Sequence, residues 1–243
     1  MIWYLGDIHG SPRYLSDMVQ SAESHSRTHT DKDMPASAII QVGDFGAFWP
    51  NNGTKAMDDF IHKRARQKKW TVPIITCGGN HDNWDFFLKL EEDNDQDLIE
   101  MIPGSGVFYA RRGSVIEIGG IKHGFLGGAR STDKHHRTEG VSWWDREEPN
   151  RQEMYDFYDN LITHRPDTIV THDVPSVVPM KRQGRNTDNT VRSLDNLTSA
   201  TKQDGYKPRR WYFGHHHVLD KWKINGTKYF GCGLHGQYWS REK

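Results

Sequence analysis

The sequence has little cysteine and no excess of charge of either sign. Only two of its 243 residues are cysteines, Cys77 and Cys232. They are too few for a disulfide framework, so we predict reduced packing residues in a reducing compartment. Lysine plus arginine number 32, as do aspartate plus glutamate, so the formal net charge is zero. This balance does not support a nucleic-acid partner, although a local basic patch stays open.

Long apolar runs are also missing. No stretch approaches the roughly 20 consecutive apolar residues of a membrane-spanning helix, and residues 1–7 lack the basic start of a signal peptide. We therefore predict a cytoplasmic protein with no membrane partner. Hydrophobic residues make up 35% of the chain, which still allows a substantial core at this length. We interpret residues 1–243 as a single domain and make no prediction of oligomeric state.

Short apolar runs alternate with helical patterns in the first part of the chain. Strands are predicted at residues 2–5, 38–42 and 72–76. Helices fit residues 11–23, 54–69 and 84–91, and a polar loop fits residues 24–35. Strands that alternate with helices form βαβ units, so we predict an α/β fold with a parallel core.

The later part of the chain mixes strands and helices. Three short strands separated by glycine turns indicate an antiparallel meander, at residues 107–110, 115–118 and 121–126. Helices near 149–163 and 189–200 separate strands at 168–171 and 210–213, and a hairpin surrounds Asn225-Gly226. Residues 183–208 are polar and form either a lid over a site or a solvated insertion helix.

Metal-binding side chains directly follow five of these predicted strands. The motifs are Gly6-Asp7-Ile8-His9-Gly10, Gly43-Asp44, Gly79-Asn80-His81-Asp82, Thr171-His172-Asp173 and Gly214-His215-His216-His217. If the strands are parallel, their ends lie side by side, and seven oxygen and nitrogen ligands converge, as a two-metal hydrolytic site requires. These ligands are Asp7, His9, Asp44, Asn80, His172, His215 and His217. A set without thiolate suits two divalent ions of Mn, Fe or Zn.

Each motif is weak on its own, and the ordered set is what carries the prediction. A single Asp-x-His arises by chance, and Gly-Asp is usually a turn. In an extended segment, residues i and i+2 face the same way, so Asp7 and His9 can bind one ion together. His215 and His217 have the same spacing, with His216 pointing elsewhere. The ordered set after apolar runs predicts a dinuclear metal site.

These residues resemble the calcineurin-like metallophosphoesterase superfamily, over the stretch from Asp7 to His217. The family pattern is Asp-x-His, Gly-Asp, Gly-Asn-His-Asp/Glu, a lone histidine and then Gly-His-x-His. Residues 127–134 and 141–144 resemble a small bacterial and phage-type subgroup. The resemblance implies a mixed α/β fold, a four-layer αββα sandwich of two mixed β-sheets flanked by helices.

The resemblance also implies roles for the matched residues. His81 matches a histidine that assists phosphate chemistry without being a permanent ligand. Asp44 matches a carboxylate that bridges both metals. The first metal would be held by Asp7, His9 and His217, and the second by Asn80, His172 and His215.

One departure from the family and one arginine bear on the substrate. The second motif continues Gly-Asp-Phe-Gly-Ala-Phe-Trp instead of Gly-Asp-x-Val-Asp-Arg-Gly, which argues against a serine/threonine protein phosphatase. Arg130 is a candidate phosphate clamp because its planar fork matches phosphate geometry, with an ordinary surface arginine as the alternative. For the following trio His135, His136 and Arg137, we favour a solvated loop.

The predicted function is metal-dependent hydrolysis of a phosphate monoester or diester. A hydroxide that bridges the metals would attack phosphorus, and His81, as imidazolium, would assist the leaving group. The alternatives are a non-catalytic protein-binding scaffold of the same fold, a nuclease acting on phosphodiesters, and a metal-storage module. A scaffold predicts lost ligands, a nuclease predicts a basic groove, and storage predicts a closed site.

Overall fold

The structure is a computed structural model that describes residues 1–28, 38–68, 72–182 and 188–241. The helices are α1 (Pro12–Thr28), α2 (Lys55–Gln67), α3 (Trp84–Asp93), α4 (Arg151–His164) and α5 (Asn189–Gln203). The strands are β1 (Ile2–Leu5), β2 (Ala38–Gln41), β3 (Ile74–Thr76), β4 (Leu98–Glu100), β5 (Val107–Ala110), β6 (Val115–Ile118), β7 (Ile121–Leu126), β8 (Thr168–Thr171), β9 (Arg210–Phe213), β10 (Leu219–Ile224), β11 (Thr227–Cys232) and β12 (Tyr238–Arg241). Within the described ranges, none of the helices has the length and apolarity needed to cross a bilayer.

The strands form two six-stranded sheets of the same plan. The first has the order β12-β1-β2-β3-β5-β4, and the second has the order β10-β11-β9-β8-β7-β6. In each sheet, four central strands are parallel and both edge strands are antiparallel. The predicted mixed α/β sandwich of two sheets is confirmed.

Alternating side chains along each strand build the layers of the sandwich. On β1, Tyr4 faces the core between the sheets, while Leu5 faces the helices α1 to α3. On β9, Tyr212 faces the same inner core, while Trp211 packs towards α4 and α5. Tyr4 and Tyr212 stack across the sheets with ring centroids 3.5 Å apart. The period of two along the strands therefore gives a helix–sheet–sheet–helix arrangement.

The predicted antiparallel meander at residues 107–126 is confirmed for its three strands and for the pairing of the second with the third, and wrong for the pairing of the first with the second. β5 is parallel to β3 in the first sheet, while β6 and β7 form an edge hairpin of the second sheet. The chain therefore passes from one sheet to the other between Ala110 and Val115. Short spacing along the chain favours a meander locally, but the partition into two sheets depends on long-range pairing.

Several predicted boundaries shift in the structure. α1 continues to Thr28, beyond the predicted end at residue 23. The third strand starts at Ile74 instead of Val72 because Pro73 has no N–H to donate to a neighbouring strand. The rest of the predicted loop at 24–35 lies outside the described residues from residue 29 onward.

The predicted lid at residues 183–208 stays a prediction, as does the single-domain interpretation. Residues 183–187 lie outside the described residues. α5, which follows them, packs Leu194 and Leu197 into the outer core of the second sheet, beside α4. This helix is therefore part of the fourth layer of the sandwich.

The outer core makes a stability prediction. On α4, Phe157 is fully buried, while Tyr155, two residues earlier, is 51% exposed. Phe157→Ala should lower the free energy of unfolding by about 3–5 kcal/mol, because it removes buried contacts and leaves a cavity. Tyr155→Ala is the matched control and should change it by less than about 0.5 kcal/mol. Urea titration measures both, and equal effects would contradict the assignment of the buried face.

Candidate metal centre

The predicted ligands meet where parallel strands of the two sheets end. Five of them follow β1, β2, β3, β8 and β9 and are at most 5% exposed: Asp7, Asp44, Asn80, His172 and His215. His9 and His217 lie at the outer rim, with side chains 28% and 30% exposed. The structure therefore brings all seven predicted ligands together, with one side open to solvent.

Left-handed backbone, rather than extended strand, aims several of these side chains. His9, Asp44, His215 and His217 have φ values of 44°, 57°, 62° and 54°. Non-glycine residues adopt this region rarely, and such conformations persist where surrounding contacts hold them. The amide of His9 donates to the Asp44 carbonyl at 2.9 Å, and the amide of His215 donates to Asp7 Oδ2 at 2.9 Å. The premise of extended Asp7-x-His9 and His215-x-His217 segments is thus wrong, because the strands have already ended there.

An inner group of ligands surrounds the side-chain oxygen of Asn80. Asn80 Oδ1 lies 3.0 Å from His172 Nε2 and 2.9 Å from His215 Nδ1. His172 Nε2 is also 3.2 Å from Asp44 Oδ1. The other ring nitrogen, His172 Nδ1, lies 2.9 Å from the carbonyl of Val42 and is suited to donate to it. That contact orients the ring and leaves Nε2 facing the site.

An outer group of predicted ligands, Asp7, His9 and His217, lies at the exposed rim of the site. His217 Nε2 lies 3.4 Å from Asp7 Oδ2 and 3.3 Å from His9 Nε2. His9 Nδ1 lies 3.8 Å from Asp44 Oδ2. Asp44 therefore places Oδ1 against the inner group and Oδ2 against the outer group.

Burial and charge set the protonation states of the metal-free site. Burial, the largest single effect, would raise the pKa of Asp44, but the charge and hydrogen bond of His172 together with the charges of His81 and His9 outweigh it and hold that pKa well below the ordinary value. Burial alone would lower the pKa of His172, but Asp44 raises it to about 10. Burial lowers the pKa of His215 to about 3. Asp44 and His172 thus form a carboxylate–imidazolium pair, while His215 is neutral and offers a lone pair.

The residues present fit divalent cations. Asp7 Oδ1 is buried and accepts no hydrogen bond from any described residue, an arrangement that is costly unless a cation faces the oxygen. Among the described residues, four groups of three carboxylate or imidazole residues have ligand atoms within 4.8 Å of one another; each contains at least one predicted ligand, and two consist of predicted ligands alone. Close packing around them requires glycine, because a Cβ at Gly79 would collide with Asp44 and one at Gly214 with Asp7. A set of carboxylate, amide and imidazole suits Mn, Fe or Zn.

A buried side-chain relay, absent from the sequence predictions, orients Asn80. Asn80 Nδ2 donates to Ser131 Oγ at 3.1 Å. Ser131 donates through Oγ and its amide to the Glu147 carboxylate, at 2.6 and 2.7 Å. The amide nitrogen of Asn80 therefore points to Ser131, which turns its oxygen towards the two histidines. Glu147 lies 16 residues further along the chain, so the sequence offers no local signal for this pairing.

The arginine next to His81 is Arg137 rather than Arg130. Arg130 is exposed, and among the described residues it makes no hydrogen bond or ion pair to a predicted ligand. Arg137 has a side chain only 7% exposed, and its Nη2 lies 2.9 Å from His81 Nδ1 and also contacts Nε2. The interpretation of Arg137 as solvated loop is therefore wrong. The role of Arg130 as a phosphate clamp stays a prediction.

His81 itself stands at the open side of the site. One of its ring nitrogens lies within 4.8 Å of ligand atoms of both His9 and Asp44. Its pKa is lowered by burial, an effect that Asp44 opposes and Arg137 reinforces. A lowered pKa favours a neutral ring over the expected imidazolium, with one N–H to donate and one nitrogen to accept.

Two acidic residues next to the ligands hold the loops together. Asp82 accepts hydrogen bonds from the amides of Gly79, Phe45 and Gly46 at 2.7, 3.1 and 2.6 Å. It thereby ties the loop after β2 to the loop after β3. Asp173 Oδ1 lies 2.9 Å from His216 Nε2, the histidine that points away from the metal ligands.

Comparison with known proteins identifies the family of this chain. A sequence model of the family described as calcineurin-like phosphoesterase matches residues 1–219. The chain belongs to the calcineurin-like phosphoesterase family and is a metal-dependent phosphoesterase acting on phosphate esters. No curated protein matches the chain.

Solved structures with a similar fold include two nucleotidases. A 5′-nucleotidase from Candida albicans SC5314 has 12% identity and a TM-score of 0.51, and the match covers 97% of this chain and 45% of that one. A Staphylococcus aureus protein described as a 5′-nucleotidase, in complex with alpha-ketoglutarate, has 13% identity and a TM-score of 0.51, covering 97% of this chain and 48% of that one. This chain therefore spans about half the length of either, and the likeness shows a shared fold.

The Ser131 relay makes a prediction about metal affinity. Ser131→Ala removes the hydrogen bond that holds the Asn80 amide, so we expect metal affinity to fall by about 10- to 100-fold. Titration with Mn²⁺ against a competing chelator measures the change. Ser16→Ala is the matched control, because Ser16 lies on the exposed side of α1 and bonds only to the Pro12 carbonyl. Unchanged affinity in Ser131→Ala would show that Asn80 does not need the relay.

Proposed function

We propose that this phosphoesterase holds two divalent cations, Mn, Fe or Zn, at the strand ends. The outer group, Asp7, His9 and His217, would bind one cation, and the inner group, Asn80, His172 and His215, would bind the other. Asp44 would bridge them, and its two oxygens facing the two groups are the observation that carries the proposal. A cytoplasmic location stays part of the proposal.

The residues divide the chemistry between them. When bound, the two cations supply positive charge that activates water as a nucleophile and stabilises the phosphoryl oxygens. The rim formed by His9, His81 and His217 is open, so a substrate phosphate can reach it. As the bond from phosphorus to the leaving oxygen breaks, the ring N–H of His81 donates a hydrogen bond to that oxygen and stabilises its developing negative charge, and the oxygen then takes its proton from water.

The alternatives receive less support. A protein-binding scaffold would tolerate the loss of ligands, whereas all seven ligands and His81 are present and adjacent. A storage site would be enclosed, whereas His9 and His217 are part-exposed. Because two proteins of similar fold are described as 5′-nucleotidases, a nucleoside monophosphate is one monoester to test, together with simple aryl esters.

Metal dependence is the primary test. We expect the purified protein to contain Mn, Fe or Zn near two equivalents and to hydrolyse p-nitrophenyl phosphate, its bis ester or a nucleoside monophosphate. Chelator treatment should abolish turnover, and added Mn²⁺ should restore it. Elemental analysis and a colorimetric assay measure these outcomes. A chelated sample that cleaves as fast as before would overturn the proposal, and cleavage of the bis ester alone would favour a diesterase.

Two histidine variants separate metal binding from leaving-group assistance. His81→Ala should retain both metals and lose about 10²- to 10³-fold in rate, the range for removal of a hydrogen-bond donor that stabilises developing charge. His217→Ala should lose the metal of the outer group, because this ring contacts both Asp7 and His9. Metal content and kcat are measured together for each variant. Full activity in both would remove the assigned roles.

A further inference from the structure

The contact between Arg137 and His81 joins two segments far apart in the chain. Arg137 lies in the segment between β7 and α4, which here is residues 127–150, and His81 follows β3. One guanidinium nitrogen, Nη2, reaches both ring nitrogens of His81. The guanidinium therefore lies directly against the imidazole ring, on a side chain that is almost wholly buried.

The chemistry of the pair fixes which partner donates. A guanidinium has N–H donors and no acceptor, and it stays protonated. The nitrogen of His81 that receives this N–H must offer its lone pair. The single ring proton then resides on the other nitrogen. Arg137 thus selects the protonated nitrogen of His81 and the angle of the ring.

The remaining donors of Arg137 are already engaged. Its Nε and Nη2 donate to Asp133 Oδ2 at 3.0 and 2.8 Å. Its Nη1 lies 3.4 Å from the carbonyl of Ser142 and 3.5 Å from that of Asn80. One hydrogen of Nη2 serves Asp133, which leaves the other for His81. An arginine held in this way is suited to orient a neighbour and poorly suited to swing onto a phosphate.

The anchoring residues come from the same short segment. A 3-10 turn at Lys134–His136 places Asp133 and Arg137 four residues apart and on one side. Asp133 is half-exposed, and no other ion pair to the guanidinium occurs among the described residues. Local structure therefore holds the guanidinium in place before any substrate binds.

We propose that Arg137 is a positioning residue for phosphoester cleavage, which holds the His81 ring with its one N–H directed at the leaving oxygen. This inference rests on the proposed function, since it requires His81 to assist the leaving group. It assigns the segment 127–150 to the leaving-group end of the cleft.

A double-mutant cycle tests the proposal. Arg137→Ala should lower kcat by about 10- to 100-fold, as a misplaced catalytic group does, with both metals retained. In a His81→Ala background, the same substitution should change kcat by no more than about twofold, because Arg137 then has no ring to position and residues that act through one another are non-additive. Equal losses in both backgrounds would mean a direct phosphate contact and would overturn the proposal.

The leaving group supplies a readout that mere destabilisation cannot reproduce. The loss in Arg137→Ala should be greater for phenyl phosphate, whose leaving oxygen needs a proton, than for p-nitrophenyl phosphate, whose leaving oxygen needs it less. Thermal unfolding checks that each variant is folded. A uniform loss across both esters would count against a role through His81.

Controls separate this inference from the proposed function. Arg66→Ala removes an exposed arginine on α2, far along the chain from the site, and should leave kcat and metal content unchanged. If wild type lacks metal-dependent turnover, the proposed function fails. If wild type is active and His81→Ala is slow but Arg137→Ala is not, the inference alone fails.

Discussion

The burial of two carboxylates at the strand ends is the constraint on which the rest of the site depends. Asp7 and Asp44 are at most 1% exposed, and Asp7 Oδ1 has no hydrogen-bond partner. In a low-dielectric interior, such charges are tolerated only beside positive charge. In the metal-free protein, protonated His172 provides this positive charge for Asp44. Divalent cations would compensate the charge of both carboxylates. The residues of the site are therefore arranged for ions that the polypeptide itself does not provide.

The surrounding backbone holds this costly arrangement in place. Asp82 uses its two oxygens to bind three amides, from Gly79, Phe45 and Gly46, and so fixes two ligand loops relative to each other. Its own pKa is raised to about 6, chiefly by burial and then by Asp44. Left-handed residues such as Asp44 and His215 therefore keep their conformation because neighbouring loops are pinned.

The sequence could predict the strands and ligands because both have local signals. Short apolar runs that end near a glycine identify β1, β2 and β9, and the predicted ligands follow these runs. The structure confirms the sandwich of two sheets to which these strands belong. The edge strands β4 and β12 of the first sheet were not predicted, whereas the edge strands β6 and β10 of the second were, because each of these forms a hairpin with its neighbour across a glycine turn. Membership of β5 in the first sheet depends on pairing with β3, which no local pattern contains.

The sequence also could not predict residues whose partners become neighbours only in the folded chain. Ser131 lies in the run 127–134 without any sign of its role there, Arg137 lies outside the matched runs, and each contacts a residue more than 50 positions away. Arg130 also lies in the run 127–134, yet it is exposed, and among the described residues it makes no hydrogen bond or ion pair to a predicted ligand. Residue type alone therefore could not distinguish the two arginines.

The segment 127–150 supports two adjacent residues in two different ways. Through Ser131 and Glu147 it orients Asn80, whose oxygen faces the ligands. Through Arg137 it orients His81, which faces the open rim. Under the proposed function, we expect a substitution on the first path to lower metal affinity and one on the second to lower the rate with the metals in place. Because only the first path ends on a predicted metal ligand, the part of the segment around Arg137 can change in sequence and alter the choice of leaving group while the metal ligands stay fixed.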